Sequence, residues 1–119
     1  MRPASAAPQL VVDTRRSGTT ELVQVRGEVD LATAPLLRAV LDTVVGRRPG
    51  RVEVDLSGAT FVDAHALAAL TAVRRRLAGR RATLVLRDPS PAVVRLLELS
   101  GTEYAFEIAT GPADVRRAG

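Results

Sequence analysis

The chain has no cysteine and no lysine, a single histidine, and only 3% aromatic residues among its 119. Without cysteine there is no disulfide framework, no thiolate metal site and no thiol nucleophile. With one histidine, a transition metal would lack a second nitrogen ligand. Without lysine, an acidic cluster could not work as the phosphate-sensing site of a receiver domain. The scarcity of aromatics means that the core has to be built from Leu, Val and Ala. Long apolar runs are also missing: the longest, Ala64 to Val73, is broken by His65 and Thr71 and falls well short of the ~20 residues that cross a bilayer. The N-terminal "MRPASAAPQLVV" holds one Arg and no apolar stretch ahead of its Pro and Ser residues, so it does not read as a secretory leader. The expectation is a cytoplasmic protein that does not insert into a membrane.

What is present fits one domain. Hydrophobic residues make up 46% of the chain, enough to bury a core without metal or cross-links. All 17 cationic side chains are Arg, and the net charge is +4. Such an excess could serve nucleic acid. However, Arg15-Arg16, Arg47-Arg48, Arg74-Arg75-Arg76 and Arg80-Arg81 are dispersed among acids and lack interleaved aromatics. They read as a solvated surface shaped by codon bias, and no nucleic-acid partner is expected.

Periodicity gives the element order. Residues 1–8, rich in Pro, Ala and Ser, read as a disordered tail, 9–110 as the domain, and 111–119 as a C-terminal tail or short helical turn. "QLVVDT" and "ELVQVRG" read as two strands joined by the polar turn "RRSGTT". In "GEVDLATAP", Thr33 is placed to cap a helix with Pro35 in its first turn; Leu36, Leu37, Val40, Leu41, Val44 and Val45 form its apolar stripe. "RVEVDLSG" alternates as a strand with one wet face or end. A second helix starts at Asp63, carries Leu67, Leu70, Val73 and Leu77 on one stripe beside small Ala66 and Ala69, and ends near Gly79 as a C′ residue. "RATLVLRD" is a buried strand. Ser90 caps a third helix with Pro91 first; Val93, Val94, Leu96 and Leu97 form its apolar face and Gly101 stops it. "YAFEI" closes the chain as a strand alternating Tyr104, Phe106 and Ile108. The order β-β-α-β-α-β-α-β predicts an α/β domain with a mixed, mostly parallel sheet and an edge hairpin strand.

The chemistry-bearing stretch is "FVDAHALAAL", Phe61 to Leu70. The chain has no GxGxxG, Walker or GxSxG pattern. A Ser57–His65–Asp63 triad can be drawn, but two helical residues at these positions point about 200° apart, so the helix would not join Asp63 to His65. Asp63 reads as an N-cap, and His65 falls in a first turn where the helix dipole disfavours positive charge. In an α/β sheet this edge is where recognition usually sits. The reading is of an interaction surface on a protein that is not an enzyme, with no cofactor or metal.

"GEVDLATAP", "VDLSGATFVDAHAL" and "SPAVVRLLELSG" together resemble the three signature segments of STAS domains, in particular bacterial anti-sigma factor antagonists. The resemblance runs from about Gln9 to Ile108. It implies a protein that binds an anti-sigma factor, usually a serine kinase of the GHKL ATPase type, and so releases a sigma factor. The kinase inactivates its antagonist by phosphorylating a Ser or Thr in a motif like Asp-Ser-Ser-Gly-Leu, which here reads Asp63-Ala64-His65-Ala66-Leu67. Asp63 and Leu67 match; His65 takes the phosphoacceptor position and Ala66 that of the Gly. Asp30 matches an acidic residue near the partner's nucleotide site. The resemblance implies partner-binding residues Asp30, Thr33, Asp63, Ala64, His65, Ala66, Leu67 and Ser90, in a monomer or weak dimer. His65 has no hydroxyl, so Ser or Thr phosphorylation at the motif is lost, or moved to a site such as Ser57 or Thr60. The other reading of the same fold is an accessory or scaffold subunit of a lipid-transport ABC complex or a stress-signalling assembly.

Overall fold

The computed structural model describes residues 9–111, and the readings for 1–8 and 112–119 lie outside them. The elements are β1 (Leu10–Ser17), β2 (Thr20–Val29), α1 (Ala34–Gly46), β3 (Arg51–Val62), α2 (Ala64–Ala78), β4 (Thr83–Arg87), α3 (Pro91–Ser100) and β5 (Glu107–Ala109). The five strands lie in one sheet in chain order, with β1 antiparallel at the edge and the other neighbours parallel. This is the predicted architecture. The hairpin is tighter than "RRSGTT" implied: Ser17 pairs with Thr20, leaving a two-residue turn with Gly18 at φ +59°, the conformation short hairpin loops require.

Each parallel connection steps to the next strand in the same direction. Such crossovers are right-handed, so the three helices share one face of the sheet. The packing agrees. Val23, Val54 and Leu86 stand opposite one another across β2, β3 and β4. They form one buried apolar cluster with Leu37, Leu41 and Val44 of α1, Leu70 and Leu77 of α2, and Val93 and Leu97 of α3. Small Ala66 and Ala69 are buried in the same cluster, which lets α2 sit close to its neighbours.

The sequence reading needs correcting in several places. Leu36 and Val94 are exposed and do not join their helices' buried faces. The last strand begins at Glu107, because Glu103 to Ala105 form a turn in which the Ala105 amide donates to the Thr102 carbonyl; Tyr104 is 95% exposed there. Gly79 ends α2 in a right-handed conformation (φ −65°), and the left-handed residue that follows is Arg81. By contrast, Gly101 takes the left-handed cap expected of it, at φ +71°. Nor is one face of β3 simply wet. Glu53, on the face away from the helices, is fully buried, with Arg51 Nε 2.7 Å and Arg87 Nε 3.5 Å from its carboxylate. On the helix face, Glu21 is equally buried against Arg47, at 2.8 Å. A carboxylate survives in such a place only with a cation beside it.

The β2–β3 pairing fixes the site. β3 pairs with β4 only as far as Asp55↔Arg87, but continues with β2 to Val29↔Val62, through irregularities at Gln24/Arg26 and Gly27/Glu28. Gly27 makes this possible. Its φ is +110°, and a Cβ there would lie 2.1 Å from the Gln9 carbonyl oxygen, which accepts from the Glu28 amide at 2.7 Å. We predict that Gly27→Ala lowers unfolding free energy in urea by about 3 kcal/mol or more, combining backbone strain with a clash against main chain. Gly46→Ala, where an added methyl group meets nothing within 4 Å, should change it by less than about 1 kcal/mol.

Candidate functional site: two helix starts at the end of a strand pair

β2 and β3 end side by side, each delivering an aspartate to the start of a helix. After Val29↔Val62 come Asp30 and Asp63, and the Asp63 amide donates to the Val29 carbonyl at 3.3 Å. Asp30 Oδ1 accepts from the Ala32 and Thr33 amides at 2.9 and 3.0 Å. Thr33 stands at the N-cap position, but its side chain makes no cap to α1. Its backbone is already helical there, and its hydroxyl turns back instead, accepting from the Asp30 amide at 3.0 Å and donating to the Glu28 carbonyl at 2.7 Å. Asp30 and Thr33 thus clamp the turn between β2 and α1. The Thr33 amide is the main cause holding the Asp30 carboxyl below the ordinary aspartate range; desolvation opposes it as the next-largest effect, and the Thr33 hydroxyl and Ala32 amide add to the lowering.

Asp63 caps α2 as expected, accepting from the His65 amide at 2.8 Å. It also does what helical geometry alone excluded. Its backbone is extended (φ −133°, ψ −168°), so the carboxylate folds over the first turn and Oδ1 lies 3.2 Å from His65 Nδ1. The 200° separation assumed two helical residues, and only His65 is helical. The pair stays partly open to water, with side chains 46% and 32% exposed for His65 and Asp63.

The other predicted positions divide. Ala64 is exposed and Leu67 half-buried, while Ala66 is buried and its methyl group joins the core. Ser90 is buried behind the edge. Its amide donates to the Leu56 carbonyl at 3.2 Å, its hydroxyl donates to the Ala59 carbonyl at 2.5 Å, and its oxygen accepts from the Val93 amide at 3.4 Å. It caps α3 and ties it to β3. Ser57 sits five residues before Val62 along β3, roughly 16 Å at strand rise, so the Ser57–His65–Asp63 triad is not assembled. Among the described residues no group of three or more His, Cys, Asp or Glu is arranged to hold a metal ion.

Sequence reasoning missed the apolar part of the edge. Leu31, beside Asp30, is 70% exposed, and Phe61, two residues before Asp63, is 49% exposed. Leu36, assigned above to the core, is exposed on the first turns of α1. The available signal was position: apolar side chains in the turn and at the strand end flanking the two aspartates.

A five-stranded mixed sheet, helices on one face, and two Asp-initiated helix starts side by side define a class of small α/β domain. A family model described as "Mlab, STAS domain" matches residues 12–106, and the chain belongs to the STAS-domain family. A STAS-domain containing protein of Pseudomonas aeruginosa is 32% identical over 87 residues, covering 73% of this chain and 85% of that protein. An anti-sigma-B factor antagonist of Listeria monocytogenes is 29% identical over 84 residues, covering 71% and 74%. The crystal structure of an anti-sigma factor antagonist from Mycobacterium paratuberculosis superposes with a TM-score of 0.83 at 27% identity, covering 95% of this chain and 97% of that one.

The clamp gives a pH prediction. Because the folded-state pKa of Asp30 is lowered, its contribution to stability is fully present above the unfolded value near 3.9 and is lost as pH falls through the folded value. NMR titration should therefore place the Asp30 carboxyl below that reference. Thr33→Val should move it upward and cost about 1–2 kcal/mol of stability, since the Asp30 amide and Glu28 carbonyl lose their partner.

Proposed function

We propose that this protein is an anti-sigma factor antagonist of the cytoplasm. It docks through the α1 and α2 starts on an anti-sigma factor of the GHKL-kinase type, and so frees a sigma factor for transcription. The observation that carries this reading is the joint edge itself: the clamped turn before α1 and the capped start of α2, flanked by exposed Leu31 and Phe61. Apolar anchors beside fixed polar groups are what a protein interface needs. The likeness to the mycobacterial antagonist over nearly the whole chain supports it. Asp30, Asp63, Ala64, His65 and Leu67 form the contact surface, with Thr33, Ala66 and Ser90 holding it from behind. The domain comprises residues 9–110 and acts without a cofactor, as a monomer or weak dimer. It binds no nucleic acid.

Position 65 sets the protein apart from a Ser- or Thr-switched antagonist. A phosphoserine in the first turn would put about −1.5 to −2 charges on the docking face; His65 has no hydroxyl to accept them. This absence also favours the second reading, a STAS subunit held constitutively against a transport ATPase or stress-signalling scaffold. Purification from the native cell with mass spectrometry of the bound chains separates the two. The antagonist reading expects a GHKL-type protein, and recovery of a transporter ATPase alone would replace it.

If His65 lies within the contact, His65→Glu should weaken partner binding at least about tenfold, or ~1.4 kcal/mol. The fold should melt unchanged, because an acid is favourable at a helix N-terminus. Unchanged affinity by calorimetry would move the contact elsewhere. Incubation with the partner and ATP should leave no phosphoserine or phosphothreonine, and stoichiometric modification of Ser57 or Thr60 would show that the hydroxyl switch had moved.

A further inference from the structure

We propose that His65 is itself a phosphoryl acceptor, taking the γ-phosphoryl group of a nucleoside triphosphate on Nε2. The phosphorylation switch of this edge would then persist with different chemistry. The proposal rests on the docking reading for its donor, a nucleotide held by the docked partner, but not for the acceptor, which is argued from this chain alone.

The geometry around the imidazole is that of a prepared nucleophile. Asp63 Oδ1 lies 3.2 Å from Nδ1 and is itself fixed by the His65 amide at 2.8 Å. A carboxylate beside Nδ1 favours the tautomer with its proton on Nδ1, which places the lone pair on Nε2. Nε2 makes no hydrogen bond or ion pair within the described residues, and the side chain is 46% exposed. In the transfer, the Nε2 lone pair forms the N–P bond. The bond from Pγ to the β–γ bridging oxygen breaks, and its electron pair leaves with the nucleoside diphosphate. The ring becomes a phosphoimidazolium that keeps its Nδ1 proton, and its new positive charge faces the Asp63 carboxylate. A carboxylate that orients an imidazole and stabilises its cationic form is an established device for histidine nucleophiles and bases. Asp63 acts here as a positioning residue, through His65. The transferred group carries roughly two negative charges, one of them offset by the ring's new positive charge, so the edge carrying Asp30 and Asp63 becomes about one unit more negative, a change that opposes docking.

The test is clean because His65 is the only histidine. The full chain is treated with potassium phosphoramidate, a small phosphoryl donor, and followed by ³¹P NMR and intact mass under alkaline handling. The expected result is one acid-labile, base-stable phosphate on Nε2, formed at least about tenfold faster than in the same chain unfolded in urea. Asp63→Asn keeps a good N-cap and should slow transfer about tenfold or more. It should also shift the neutral ring away from the Nδ1–H tautomer, read by ¹⁵N NMR, a change that loss of stability alone would not produce. A folded-state rate equal to the unfolded one, or one indifferent to Asp63→Asn, overturns the acceptor role whether or not any partner binds. A second arm adds the co-purified partner and ATP. Binding without an acid-labile phosphate overturns the proposal and leaves the docking reading intact. Failure to bind defeats that reading, and the phosphoramidate arm still decides on His65.

Discussion

The parallel pairing of β2 with β3 governs the rest of the molecule. It runs to Val29↔Val62, seven residues beyond the last β3–β4 pair, at Asp55↔Arg87. That extension puts the first turns of α1 and α2 next to each other. Two glycines serve it: a Cβ on Gly58 in β3 would lie 2.7 Å from the Arg26 side chain at Cγ, and one on Gly27 in β2 would meet the Gln9 carbonyl on the β1 side. The irregularities that bend the pair are therefore part of the site, in keeping with bulges beside functional edges elsewhere. Once the two strands end together, Asp30 and Asp63 perform parallel tasks, each collecting the amides of the turn that follows.

Much of the fold was legible, because each helix is marked by its own start and stop. Pro35 and Pro91, the caps at Asp63 and Ser90, and the left-handed Gly101 are local signals, and they landed where the backbone uses them. What local pattern did not show depends on the neighbouring chain. Glu53 alternates like an outward residue of a half-wet strand, yet it is buried because Arg51 and Arg87 supply the opposite charge from its own and an adjacent strand. Leu36 keeps the helical period of the core but looks outward at the first turn of α1. The Asp63–His65 contact was hidden for a related reason: it depends on one extended residue before the helix, and spacing rules assume a helix throughout.

The candidate site joins two kinds of surface that sequence showed unequally. Its polar half was readable from cap chemistry. Its apolar half, Leu31 and Phe61, looked like ordinary turn and strand residues until the fold left them exposed. On the proposed reading, the hydrogen-bonded turns at Asp30 and Asp63 would cost little to order on docking, while the exposed apolar pair would give up water-exposed area.

The central claim is that the β2–β3 extension builds the docking edge. Hydrogen exchange of this protein, free and bound to the partner that co-purifies with it, tests it most directly. The account predicts that binding slows exchange in two separate segments together, Asp30 to Leu36 and Phe61 to Leu67, with β1 and the outer face of α3 unchanged. Protection confined to α3 and β5, with Phe61 to Leu67 exchanging as in the free protein, would contradict it.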